Sequence, residues 1–292
     1  MVIAILAILG LAWGSFVNAL VWRLHEQGKI KGKSSKTKKG SLESKDKQAS
    51  ALAKLSIVNG RSMCPNCRHE LAAKDLIPIF SWLMLRGKCR YCHKSISWQY
   101  PLVEAITALI FVFCYVFWPL ALGSALSIVV LALWLVMVIV LMALSIYDIK
   151  WQLLPNRLVA TLSLVAVVQA VIVIATADSP LRSLLGHIIG AVIVGGLFYL
   201  ILVLSKGKWI GGGDVKLGFV LGLIAAAPGQ AVLLLFSASV LGSLVSLPLM
   251  AINKLKRSST IPFGPFLILA TLTVVLFGTQ IIDWYLSLFL LR

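Results

Sequence analysis

Two aspartates and four cysteines are the residues of this chain whose types and spacing could do chemistry. Asp148 lies in Ser145-Ile146-Tyr147-Asp148-Ile149-Lys150, directly after a long apolar run. Asp214 lies in Gly211-Gly212-Gly213-Asp214-Val215-Lys216, directly before another. Two carboxylates held at one depth can share a proton, because like charges a few ångströms apart do not both ionise cheaply. The ionised one can take a proton from water while the neutral one polarises a scissile carbonyl. Such a pair titrates as a unit, so neither role belongs to one residue alone. Gly211, Gly212 and Gly213 can let the backbone approach an extended substrate without a Cβ in the way. Lys216 and Glu104 complete the set of candidate site-shaping residues; Glu104 reads as a hydrogen-bond partner or a cofactor contact. The competing reading is a proton-coupled membrane transporter using the same Asp148/Asp214 pair. That reading predicts acids near the bilayer midplane and internal repeats, and neither is clear in the sequence.

The cysteines form two pairs, Cys64-Pro65-Asn66-Cys67 and Cys89-Arg90-Tyr91-Cys92, with 21 residues between them. Two such turns brought together offer four thiolates in a tetrahedron, which suits Zn²⁺. A four-sulfur site is closed to water and substrate, so the metal is expected to be structural. A redox dithiol would need a βαβ setting that neither pair has. His69 and His93 flank the cysteines and are expected to face solvent, since four sulfurs already complete the shell. Cys114 stands alone in an apolar run and reads as a small buried residue.

These groups must be positioned by a membrane scaffold. The 292 residues are 60% hydrophobic and only 13% charged, against roughly 25% charged in soluble domains. The expected fold is therefore an all-α polytopic membrane protein of about eight transmembrane helices with a cytoplasmic zinc-binding loop domain. The candidate spans are 2–22, 102–118, 124–147, 157–176, 183–204, 216–228, 230–251 and 264–290, the sixth being short and Gly-rich. The first reads as a span and not as a cleavable signal peptide. Residues 23–100 hold 17 of the 27 Lys and Arg residues. Placing them in the cytoplasm puts the other basic loops, 148–156, 205–215 and 252–263, on that side too. Both aspartates then meet one face of the membrane. Asp178 and Asp283 fall elsewhere; Asp178 reads as a solvated loop residue or helix cap and Asp283 as an interfacial residue. Three parts result: a first span over 1–22, a cytoplasmic loop over 23–101, and a seven-helix core over 102–292. Within the loop, residues 25–60 are a Lys/Ser/Gly-rich insert with too little apolar content to fold alone. This insert is a candidate contact for anionic lipid. Nucleic-acid binding has only charge behind it and is not expected.

Several segments together resemble the prepilin peptidases of type IV pilus and type II secretion systems, with their GxGD membrane aspartyl signature. They are Gly14-Ser15-Phe16-Val17-Asn18 with Trp22-Arg23-Leu24; Arg61 to Cys67; Pro78 to Leu83; Arg86 to Cys92; Ile96 to Glu104; Asp148 with Leu154-Pro155; Gly211 to Leu217; and Pro262-Phe263-Gly264-Pro265-Phe266. They run in the family's order along nearly the whole chain. The resemblance implies cleavage of prepilin and pseudopilin leaders after a glycine, at the cytoplasmic face of the bacterial inner membrane, by Asp148 and Asp214. It also implies methylation of the new N-terminus from S-adenosyl-methionine, because members with the zinc loop often carry that second activity. No nucleotide-binding fingerprint in the chain says which residues hold this cofactor. Two departures stand out. One is the long basic insert. The other is Asn156, where the family often has Asp, a change expected to bear little on catalysis.

Overall fold

The computed structural model describes residues 1–36, 50, 52–53, 55–57, 60–252 and 261–290. Most of the basic insert, and Lys254, Lys256 and Arg257 of the last basic loop, lie outside the described residues. The chain divides into two compact units, Met1–Phe113 and Cys114–Arg292.

In the first unit, α1 (Val2–Lys36) carries the first apolar run and continues as helix into the segment expected to be unstructured. A helix already nucleated by a buried span extends one hydrogen bond at a time, and the Lys and Gln that follow are good helix formers. The zinc loop holds a single 3₁₀ turn at Ala73–Asp75 and the short α2 (Phe80–Met84). The unit ends within α3 (Gln99–Val116), whose last turn runs past the boundary at Phe113. α1 and α3 pack antiparallel through two glycines four residues apart. A Cβ on Gly10 would meet Ala108 Cα at 2.5 Å, and one on Gly14 would meet Glu104 Cα at 2.6 Å. Small residues at this spacing let two membrane helices approach backbone to backbone. The contact sets Glu104 against the Gly14 turn of α1.

In the second unit, α4 (Ala125–Trp151) and α5 (Asn156–Ala175) are joined by a tight turn. α4 stops where Gln152 takes a left-handed conformation (φ 52°, ψ 41°) and donates its N–H to the Asp148 carbonyl. α6 (Pro180–Leu204), α7 (Gly212–Ala225), α8 (Pro228–Ala251) and α9 (Gly264–Leu290) complete the unit. Pro180 and Pro228 each open their helix at the first position, where no N–H is needed.

Seven helices among the described residues are long and apolar enough to cross a membrane. The sixth expected span, 216–228, appears as α7, with 14 residues and a length of about 21 Å. It falls short of the roughly 30 Å of a bilayer core. Its register against α6 shows how far it reaches nonetheless. Gly218 lies against Phe198, Gly195 against Phe219, and Gly190 against Gly222, while a Cβ on Gly186 would meet the Ala226 carbonyl at 2.5 Å. α7 therefore runs antiparallel to α6 and ends beside its second turn. Glycines on both helices make this close approach possible, because any Cβ there would meet the other helix.

Candidate active site and metal centre

Three helix ends of the second unit converge on Asp148. The residue sits in the last turn of α4 and is buried, with 5% of its surface exposed. Its Oδ2 accepts a hydrogen bond of 3.1 Å from the backbone N–H of Gly264, the first residue of α9. Here the lack of a side chain matters: a Cβ on Gly264 would stand 2.6 Å from that same oxygen. Asp214 occupies the first turn of α7 and is half-buried. Its carboxylate takes a backbone hydrogen bond from Gly211, closing the turn as a helix N-terminus prefers. Asp214 lies within electrostatic reach of Asp148. The two residues are 66 positions apart in sequence and are brought together by tertiary packing alone.

The approach is fixed on a third side. Gly213 packs against Leu154 in the α4–α5 turn, where a Cβ would come within 3.2 Å of the leucine. Lys216 Nζ donates to Asn156 Oδ1 at 2.9 Å. The start of α7 is thus pinned to the turn that follows Asp148. Gly211 and Gly212 are exposed, and Gly212 has nothing within 4 Å of its open face. Glu104 belongs to the first unit.

The four cysteines form the second constellation. Their sulfurs all lie within 4.8 Å of one another, with Cys64 and Cys92 at 3.9 Å. Tetrahedral zinc with sulfur ligands at about 2.3 Å needs sulfur–sulfur separations of about 3.8 Å, so the set fits that ion. The two turns are built alike. Cys64 N–H donates to the His69 carbonyl and Arg68 N–H to the Cys64 carbonyl; Cys89 and His93 repeat both bonds with Lys94 and Cys89. Arg68 and His93, each directly after the second cysteine, take positive φ (59° and 54°) to close the turn. Burial pushes the Cys64 thiol up to about 11. Burial also acts to raise Cys89, but hydrogen bonds from the Cys92 and Tyr91 backbone, and from the Cys64 and Cys92 sulfurs, bring it down to about 7. These backbone donors are the ones a metal-bound thiolate uses. His69 and His93 are both exposed, as expected, and His69 also stacks on Tyr91 with ring centroids 3.7 Å apart.

Comparison with known proteins adds the family. Residues 8–118 match the bacterial peptidase A24 N-terminal domain, and residues 135–247 match the type IV leader peptidase family. A prepilin leader peptidase/N-methyltransferase of Stutzerimonas stutzeri is 32% identical over 283 residues, covering 96% of this chain and 92% of the relative. The chain belongs to the type IV leader peptidase family. A protein of the same name from Aeromonas hydrophila is 35% identical, over 79% of this chain and 76% of its own length. A type 4 prepilin-like proteins leader peptide-processing enzyme of Escherichia coli O78:H11 is 31% identical, over 91% of this chain and 90% of its own. No solved structure matches the chain.

Sequence reasoning alone passed over three residues that the structure brings to these sites. Gly264 was visible only as part of a motif without a role. Asn156 looked incidental and turns out to hold Lys216. Arg23, buried at 6%, gives hydrogen bonds to the carbonyls of Ser56, Ile57 and Gly60 and so ties the loop to α1.

Proposed function

We propose that this chain is a membrane aspartic endopeptidase that removes the leaders of type IV prepilins and pseudopilins, and that Asp148 and Asp214 carry the hydrolysis. The observation behind the reading is the meeting of both carboxylates at the junction of α4, α7 and α9, in a chain of this family. In the reaction, the ionised carboxylate takes a proton from a water molecule between the pair. The water oxygen attacks the scissile carbonyl carbon, and the protonated partner gives its proton to the carbonyl oxygen. Collapse of the tetrahedral intermediate breaks the C–N bond, and the leaving amine takes up a proton. Gly264 N–H holds one Asp148 oxygen, so the other is presented to water. The exposed Gly211–Gly212 backbone gives an extended leader room beside Asp214, and Lys216 keeps that strand of backbone in place through Asn156.

The same reading assigns the site and the zinc loop to the cytoplasmic face of the bacterial inner membrane, with the basic insert as a contact for anionic lipid. A prepilin's basic leader precedes an apolar helix, so its cleavage point lies at that interface without extraction from the bilayer. The cysteines would hold one structural Zn²⁺. S-adenosyl-methionine, when bound, supplies the methyl group for the new N-terminus, as the names of the relatives suggest. The transporter alternative has no observation in its favour beyond the acid pair.

The test is leader cleavage by membranes carrying Asp148→Asn or Asp214→Asn. Each substitution is expected to slow cleavage by about 10²–10⁴-fold with the protein still folded in the membrane. Full cleavage by either variant would overturn the pair mechanism. Ion flux through reconstituted vesicles without any peptide cleavage would favour transport.

A further inference from the structure

Glu104, in the first unit, is buried with 6% of its surface exposed. Its Oε2 accepts from the Ile79 N–H at 2.6 Å, and it bonds to the Ser15 side chain. No cation pairs with it among the described residues. Ile79 pays for this contact with an unusual backbone, φ 58° and ψ −51°, stabilised by a tight turn in which Phe80 N–H reaches the Pro78 carbonyl. A β-branched residue rarely adopts positive φ, and such strain gathers where function fixes geometry.

Glu104 lines a cavity of about 130 Å³ within the first unit, bounded by α1, α3 and the two cysteine turns. Arg23, Asn18, Trp22, Trp82 and Tyr100 line it as well. Asn18 is 4% exposed and is fixed through its amide to the Tyr100 carbonyl at 3.1 Å. Arg23 spends three of its five N–H groups on loop carbonyls, and no carboxylate pairs with it among the described residues. One cavity thus presents a buried carboxyl group and a buried guanidinium, neither held in an ion pair among the described residues, beside indole rings; Asp75 and Arg90, which pair with each other, line it too. Buried polar groups without an ion-pair partner are costly to keep, and a ligand bearing both signs would answer both of these.

We propose that this cavity receives the amino-acid end of S-adenosyl-methionine, with Glu104 facing its positive groups and Arg23 its carboxylate. This rests on the methyl-transfer half of the function proposed above. The size agrees: whole drug-sized ligands occupy roughly 300–1,000 Å³, so a smaller space takes one end and leaves the adenosine toward the opening. The rings of Trp22 and Trp82 suit a sulfonium, which aromatic faces attract. A peptide N-terminus brings only a positive charge and would leave Arg23 unanswered.

The experiment titrates S-adenosyl-methionine, and separately S-adenosyl-homocysteine, into the full-length zinc-loaded protein in lipid nanodiscs. Tryptophan fluorescence reads binding, and hydrogen exchange of the wild type locates it. Saturable binding is expected, tighter for the charged sulfonium than for the neutral thioether, with protection over residues 15–23 and 78–82. Glu104→Gln, checked for its zinc content, should weaken S-adenosyl-methionine at least about tenfold and erase the preference over the thioether. Unchanged affinity in Glu104→Gln overturns the assignment. So does wild-type protection confined to other segments while methyl transfer proceeds, a result that leaves the methyltransferase reading standing. A wild type that cleaves prepilin yet neither binds the donor nor methylates overturns both.

Discussion

Gly264 gives its backbone N–H to Asp148 across 116 positions of sequence, and its missing side chain leaves the room that the carboxylate occupies. Gly264→Ala would drive a methyl group onto Asp148 Oδ2 and turn the carboxylate away from its partner. Displacements of this size cost about 10²-fold in rate, so kcat for leader cleavage should fall by that order while the protein remains folded. Kinetics on a purified prepilin would show it; a variant with wild-type kcat would remove Gly264 from the site. This residue also marks what sequence can tell at this scale. The cysteine cluster was legible because each pair of ligands is local and the metal's demand for four sulfurs joins them. The aspartates were legible as types at span ends. The groups that orient them were not, because the bonds of Gly264 to Asp148 and of Lys216 to Asn156 depend on which helix ends meet. Arg23 stayed silent for the same reason, since its partners are carbonyls, which every residue has.

At the level of elements, hydropathy located the long helices well, because about 20 apolar residues admit few other structures in a bilayer. It misjudged the end of α1, which runs on to Lys36 in a segment too polar to fold alone, while α7, expected to be short, has 14 residues. Composition cannot see that a polar helix is propagated from a span, nor that a short one is carried by a neighbour. For α7 the neighbour is α6, and the carrier is the row Gly186, Gly190 and Gly195 against Gly218, Gly222 and Ala226. Gly222→Leu would place a side chain where the Gly190 carbonyl and Ala191 Cα now lie. Overpacking of this kind costs about 1–3 kcal/mol, so the melting temperature in detergent should drop and cleavage should fall with it, through displacement of Asp214 at the other end of α7. Gly196, which meets only its own helix neighbour Val192 at 3.7 Å, should accept alanine without such a loss.

For the molecule as a whole, the division into two compact units follows the chemistry: the four cysteines and Glu104 lie in one, both aspartates in the other. Zinc analysis should find one ion per chain. Cys64→Ser or Cys89→Ser should lose it and lose methyl transfer, while cleavage suffers less. Equal and complete loss of cleavage would mean that the metal loop also builds the protease site.

The shortness of α7 has a physical corollary for the surrounding lipid. Most of α7 is enclosed by its neighbours, but where its exposed Lys216 and Phe219 edge meets lipid the adjoining acyl chains would have to compress to match a 14-residue helix. The cost of that mismatch rises with chain length. Reconstituted into bilayers of increasing acyl length, the peptidase should work best in the thinner ones and lose rate as the chains lengthen. Leader cleavage would then respond to membrane thickness without any ligand being exchanged.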